Sequence, residues 1–265
     1  MKKLLFLILI MLFAGYLHSQ VPFKVITVNG EIVATKANVT LQNGVEIYSD
    51  DNFDFRKPNS RAAMINSERG RIVLTEQNAG DAFSKAAFAP AISSISARSG
   101  SVSNLADLKT TFEDKVLIID KLELKVGADV FPMEDQKFFF IRYIYNDETI
   151  NKRLAFKGDT LIIERAELFS IDGKVIENPN VTQLSLYYYR KGNDQPESLL
   201  INTFEPVFVQ REHIKPEIDI IINEFKGKPF DVILSEVYDY LTSFYGKTDK
   251  DYLEKWLKKE YKIGV

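Results

Sequence analysis

Apolar positions recur at two different periods along this chain, and the change of period divides it. Up to residue 78 they alternate over short runs, as in Phe23-Lys24-Val25-Ile26-Thr27-Val28, Phe53-Asp54-Phe55 and Arg71-Ile72-Val73-Leu74-Thr75. A period of two puts alternate side chains on opposite faces of a strand. Asn29-Gly30 and Asn43-Gly44 interrupt these runs where hairpin turns are expected. Residues 20–78 therefore read as a small β barrel or sandwich of SH3-like size. From 79 to 107 the texture is rich in small residues and serine without steady period, as expected of a linker or loop. Alternation resumes from Lys115-Val116-Leu117-Ile118-Ile119 and continues to Phe208, with turns at Lys157-Gly158-Asp159 and Asp172-Gly173. Region 108–212 thus predicts about seven to nine strands in an antiparallel sandwich or strongly curved sheet.

After residue 212 the period becomes helical. Ile218, Ile221, Ile222 and Phe225 form one apolar stripe; Phe230, Ile233, Leu234, Val237, Tyr238, Leu241, Phe244 and Tyr245 form a second; Tyr252, Leu253, Trp256, Leu257 and Tyr261 form a third. Residues three and four apart share a helical face. Pro216 suits a first helical turn, Gly227 and Gly246 suit helix ends, and Thr248 with Asp251 suits a capping box. Three helices this short need a surface to dock on. The expected surface is the aromatic sheet of region 108–212, so the fold class is mainly β with three C-terminal helices.

Residues 1–19 change the reading of location. Lys2 and Lys3 precede an apolar run from Leu4 to Ala14, and small or polar residues follow, the order of a signal peptide. The run is about half the ~20 residues that cross a bilayer. The ending His18-Ser19-Gln20 resembles signal peptides of the Bacteroidota, which implies export into a Gram-negative envelope. The expected location is the periplasm or the exterior, with peripheral attachment to the outer membrane compatible with it. Loss of the two lysines takes 34 basic residues to 32 against 37 acidic ones. An acidic balance without a basic run excludes nucleic acid as the expected partner. No later segment is long and apolar enough to predict a transmembrane helix.

The spacing of Val25, Val28, Gly30 and Ile32, then Leu41, Gly44 and Ile47, then Gly70, Ile72 and Leu74, resembles the FecR-type β domain of envelope proteins. The resemblance covers about a fifth of the chain. It implies a periplasmic binding or signal-relay role without catalysis. Val45 departs from the pattern, where the family commonly has an acidic residue.

The chain contains no cysteine, which removes disulfides, thiolate nucleophiles and cysteine-ligated metals. His213 is the only histidine beyond the signal-like segment, beside Glu212, with no convincing serine to complete a triad. The single glycines at turns lack phosphate-loop spacing. No cofactor is expected. Asp50, Asp51 and Asp54 form a weak calcium candidate, lacking the glycine that a calcium loop needs at its sixth position. Paired carboxylates leave a glycan or cell-wall hydrolase as the rival reading. Phe138-Phe139-Phe140 with Tyr143 and Tyr145, and Tyr187-Tyr188-Tyr189, place aromatics on both faces of their strands. Tyr187, Tyr189, Phe139, Tyr143 and Trp256 are the candidate binding surface, for an envelope protein or a glycan. Tyr188 points away from its two neighbours.

Overall fold

The computed structural model describes residues 22–90, 102, 104–176, 179–192 and 195–264. The signal-like segment 1–19 and residues 91–101 of the serine-rich stretch lie outside the described residues. The chain is mainly β, with three C-terminal helices, and falls into two compact units, Met1–Phe88 and Ala89–Val265. Among the described residues no helix is long and apolar enough to cross a membrane.

The first unit contains β1 (Phe23–Asn29), β2 (Ile32–Ala34), β3 (Val39–Thr40), β4 (Glu46–Ile47), β5 (Phe53–Phe55), β6 (Arg61–Asn66) and β7 (Gly70–Thr75). They form two open antiparallel sheets, β4-β1-β6-β7 and β3-β2-β5, rather than a closed barrel. Phe23, Val25, Ile32, Leu41, Met64 and Leu74 fill the core between them. The two Asn-Gly turns are not hairpins. Asn29-Gly30 joins β1 to β2 and Asn43-Gly44 lies between β3 and β4, and each pair of strands is split between the two sheets. At Gly30 (φ +94°) a Cβ would stand 2.2 Å from Ser60 Oγ, and Ser60 Oγ accepts the Glu31 N–H at 3.0 Å. The glycine makes a corner instead of a hairpin, because chain direction there is set by the second sheet.

The stretch after residue 78 starts inside this unit. Ala82 and Phe83 are buried, and the Phe83 ring meets Phe23 edge-on at 5.1 Å. Arg71 and Ala87 exchange backbone hydrogen bonds of 2.8 and 3.2 Å. Gly70 (φ +92°) lies against that bridge, and a Cβ there would be 2.1 Å from the Ala87 carbonyl carbon. Backbone cannot rotate out of the way. Gly70→Ala is expected to cost at least about 1–3 kcal/mol through strain at positive φ, read as a lower unfolding midpoint of this unit. An unchanged midpoint would mean that the 82–88 segment does not pack as described.

The second unit pairs a five-stranded sheet with a three-stranded one. The larger has the order β11 (Glu148–Arg153), β10 (Lys137–Tyr145), β16 (Leu184–Lys191), β17 (Pro196–Val209), β8 (Asp114–Ile119). The smaller runs β12 (Ala155–Lys157), β13 (Thr160–Glu164), β9 (Lys121–Lys125). Ile118, Phe139, Ile141, Leu184, Leu186 and Phe204 of the larger sheet share a core with Leu122, Leu124, Leu161 and Ile163 of the smaller. One pairing departs from the antiparallel expectation: β17 and β8 run parallel. Pro206 stands within β17, where a missing N–H would break a central ladder. The β16 ladder stops at Leu184 opposite Phe204, so the β16 side of Pro206 has no ladder to break. The turn expected at Lys157-Gly158-Asp159 is a two-residue hairpin through Gly158-Asp159, and Asp172-Gly173 makes the expected hairpin, joining β14 (Ser170–Ile171) to β15 (Lys174–Val175).

Short helices α1 (Leu105–Thr111) and α2 (Arg165–Leu168) precede the tail, which consists of α3 (Arg211–Glu224), α4 (Phe230–Phe244) and α5 (Lys250–Tyr261). Pro216 lies inside α3, not in its first turn, since the helix begins five residues earlier than the proline implies. The cap of α5 is Asp249, accepting the Tyr252 N–H at 2.5 Å, rather than Thr248. Burial pushes the Asp249 carboxyl up, against the pull of that amide. The tail is tied to the edge of the large sheet: Leu117 N–H donates to Lys247 O (2.7 Å), Lys247 N–H to Lys115 O (2.8 Å) and Tyr252 Oη to Ile119 O (3.3 Å). Val116 and Ile118 face the sandwich core while Leu117 and Ile119, on the other face, are buried as well.

Candidate functional site

Two aromatic triplets meet across one ladder. β10 and β16 are antiparallel with Phe138 opposite Tyr189, Phe139 opposite Tyr188, and Phe140 opposite Tyr187. Alternation then sorts them. Phe139, Tyr143 and Tyr188 point into the sandwich core, where Tyr143 Oη donates to Leu168 O (3.0 Å) and Tyr188 Oη to Pro132 O (2.8 Å). Burial pushes both phenols up. Phe138, Phe140, Tyr187 and Tyr189 take the opposite face. Phe140 stacks on Tyr187 at 5.0 Å and 9°, and Phe138 on Tyr189 at 4.8 Å and 29°. Such cross-strand pairs stabilise a sheet by roughly 0.2–1 kcal/mol each.

This corrects the binding surface expected from sequence. Phe139 and Tyr143 are core residues, 1% and 3% exposed, and Trp256 is buried within the tail at 5%. Tyr187 and Tyr189 are half-exposed on the outer face, together and opposite to Tyr188. The tail is joined to β8, at the far edge of the sheet from β10 and β11, which leaves this aromatic face half-exposed.

Arginines complete the face. The Arg142 guanidinium lies 4.7 Å from the Tyr187 ring and 5.8 Å from Phe140, and its Nε donates to Asn151 Oδ1 at 2.8 Å. Arg153 lies 4.4 Å from the Phe138 ring. A guanidinium held against an aromatic ring keeps its N–H edge free for planar acceptors. The signal for this was available in the sequence: Phe138, Phe140 and Arg142 share strand parity, and a sheet face bearing arginine is the solvated one.

The acidic candidates are not brought together. Asp51 accepts the backbone N–H groups of Lys36 (2.9 Å), Ala37 (3.1 Å) and Asn52 (2.8 Å). Asp50 pairs with Lys36, whose hydrogen bond holds its carboxyl below the usual range, and Asp54 pairs with Arg56 at 3.2 Å. Among the described residues no three acids or histidines are grouped to hold a metal ion. Asp50, Asp51 and Asp81 do line a cleft of about 440 Å³ with Arg69. Asp81 is paired with Lys85. A carboxyl lowered by a lysine is the reverse of what a general acid requires.

Two further concavities lie in the second unit. One of about 640 Å³ is lined by Asp120, Glu164, Arg165 and exposed His213, with Asp120 paired to Arg211 at 3.0 Å. The other, about 520 Å³, is lined by Leu105, Val130, Phe131, Tyr188 and Leu199, with the Arg190–Glu197 pair (2.6 Å) at its rim.

No known protein family, curated protein or solved structure matches this chain. The likeness to the FecR-type domain therefore rests on the residues quoted for it. The outer face presents hydrogen-bond donors and ring edges, with the hydroxyls of Ser185 and Thr203 bonded to each other at 2.9 Å on the same side.

Proposed function

We propose that this chain is a non-catalytic binding and assembly module of the bacterial cell envelope, exported through the inner membrane. The observation that carries the reading is the outer face of the five-stranded sheet, where half-exposed Tyr187 and Tyr189 stand in register with Phe140 and Phe138 under two arginines. Paired aromatics with arginine on a rigid sheet are the residue types that dominate recognition surfaces. The charged, apolar and small-residue order of residues 1–20 supports export. The ties of Asp50, Asp51 and Asp54 to lysine, arginine and backbone amides favour binding over hydrolysis.

Crosslinking in native envelopes tests this, using the full chain with Tyr187 and Tyr189 both replaced by alanine. Neither side chain belongs to the core, so the variant is expected to remain folded and to lose its crosslinked partner. Crosslinks unchanged in the folded variant would remove the face from recognition. Release of soluble sugar from envelope glycan by the purified chain would establish the hydrolase instead.

A further inference from the structure

We propose that the partner of the outer sheet face is an acidic protein segment, in which Asp and Glu alternate with apolar side chains. The inference rests on the reading of that face as the recognition surface. Arg142, Arg153 and Lys191 stand on the face, by the registers of β10 with β11 and β16. No strand position on the same side of β10, β11, β16 or the first half of β17 holds a carboxylate. This is a local excess of three cations in a chain whose acids outnumber its bases, 37 to 34. Opposite charge is what such a patch selects.

The donors are available. Arg142 and Lys191 have no ion-pair partner among the described residues, and the Tyr187 and Tyr189 hydroxyls have no hydrogen-bond partner among them. Arg153 Nη2 donates to the Glu134 carbonyl at 3.3 Å and lies 3.5 Å from Asp135, a side chain that is fully exposed; such an exposed pair contributes little and exchanges readily. A guanidinium presents paired N–H groups that match a carboxylate in its plane.

The ring geometry decides against a glycan. A sugar stacks on an aromatic face open to solvent, but here the faces of Phe140 and Tyr187, and of Phe138 and Tyr189, turn towards each other, with arginines beside them. Ring edges and hydroxyls are what remain. Ile144 and Leu200, 59% and 45% exposed, share this side of the sheet and supply apolar contacts that a peptide can use and a polyuronate cannot.

Fluorescence anisotropy with the full chain tests the inference, using a labelled synthetic peptide of Glu, Asp and Leu, its Lys-for-acid counterpart, and an oligo-uronate. The acidic peptide is expected to bind, more weakly as salt rises, and the basic counterpart not to bind. The triple variant R142Q/R153Q/K191Q, checked for folding by its melting curve, should bind at least about tenfold more weakly. R142K/R153K keeps the charge but loses the planar donors, and should fall between. Equal binding of the peptide by wild type and triple variant would overturn the proposal, as would tighter binding of the oligo-uronate. If envelope crosslinks need Tyr187 and Tyr189 but not the three cations, the face stands and the acidic segment fails. If crosslinks and peptide binding both survive Y187A/Y189A, the reading of the face itself fails.

Discussion

Trp256→Ala is expected to lower the unfolding free energy of the second unit by about 3–5 kcal/mol, the cost of emptying a large buried aromatic site. Trp256 is 5% exposed on α5, between the fully buried Leu253 and Leu257. Its indole Nε1 is buried without a hydrogen-bond partner among the described residues, so packing rather than a polar contact holds the ring. The Arg211 guanidinium 5.5 Å from the ring loses its cation–π contact as well. For a unit of this size the melting temperature should fall by roughly 6–20 °C. Trp256→Phe keeps most of the apolar volume and should lose much less. Urea unfolding of the two variants beside wild type measures both. A loss below about 1 kcal/mol for the alanine variant would contradict docking of the tail on its own unit.

The second expected result is a loss of stability in alkali that Tyr240→Phe reduces. Glu217 on α3 is buried and accepts hydrogen bonds from two phenols, Tyr240 of α4 at 2.6 Å and Tyr245 at the C-terminal cap of α4 at 2.8 Å. Burial, and then the Glu217 charge, push the Tyr240 phenol far above its ordinary range. The folded chain therefore keeps a proton that the unfolded chain gives up near pH 10. Stability from this group is complete below about pH 10 and declines above it by about 1.4 kcal/mol per pH unit. Tyr261, bonded to Asp219 at 2.7 Å, is raised in the same direction by burial, and its partial exposure makes its share smaller.

Tyr240→Phe cannot titrate. At neutral pH it should be less stable than wild type by about 1.5–3 kcal/mol, because a carboxylate loses a charge-assisted bond. The gap should then narrow as pH rises. Glu217→Ala leaves the Tyr240 hydroxyl without its acceptor and weakens Tyr245, for a loss of about 2–4 kcal/mol. Urea midpoints between about pH 8 and 11 decide the matter. A Tyr240→Phe curve parallel to that of wild type would mean that Tyr240 ionises as freely folded as unfolded.

What was legible in the sequence was whatever depends on neighbours within a few residues. The stripes through Ile218, Val237 and Trp256 announced helices because residues three and four apart share a face in any α-helix. Lys157-Gly158-Asp159 announced a turn and Asp172-Gly173 a hairpin, because two residues suffice to reverse adjacent strands. The same logic misled at Asn29-Gly30 and Asn43-Gly44, where the following strand pairs with a distant partner in another sheet. It placed the last cap at Thr248, whereas Asp249 caps α5.

The aromatic face shows the same division. Strand parity is local, and it alone sets Phe138 and Phe140 opposite to Phe139, and Tyr187 and Tyr189 opposite to Tyr188. Arg142 marked the parity of Phe138 and Phe140 as the solvated one, but nothing local determined that the two triplets would pair with Phe140 against Tyr187. The sequence also left open the parallel pairing of β17 with β8, and with it the edge to which the tail helices are joined. Those choices belong to the tertiary structure. They depend on contacts between residues far apart in the chain, whose free energies are realised only when both sheets and the helical tail assemble together.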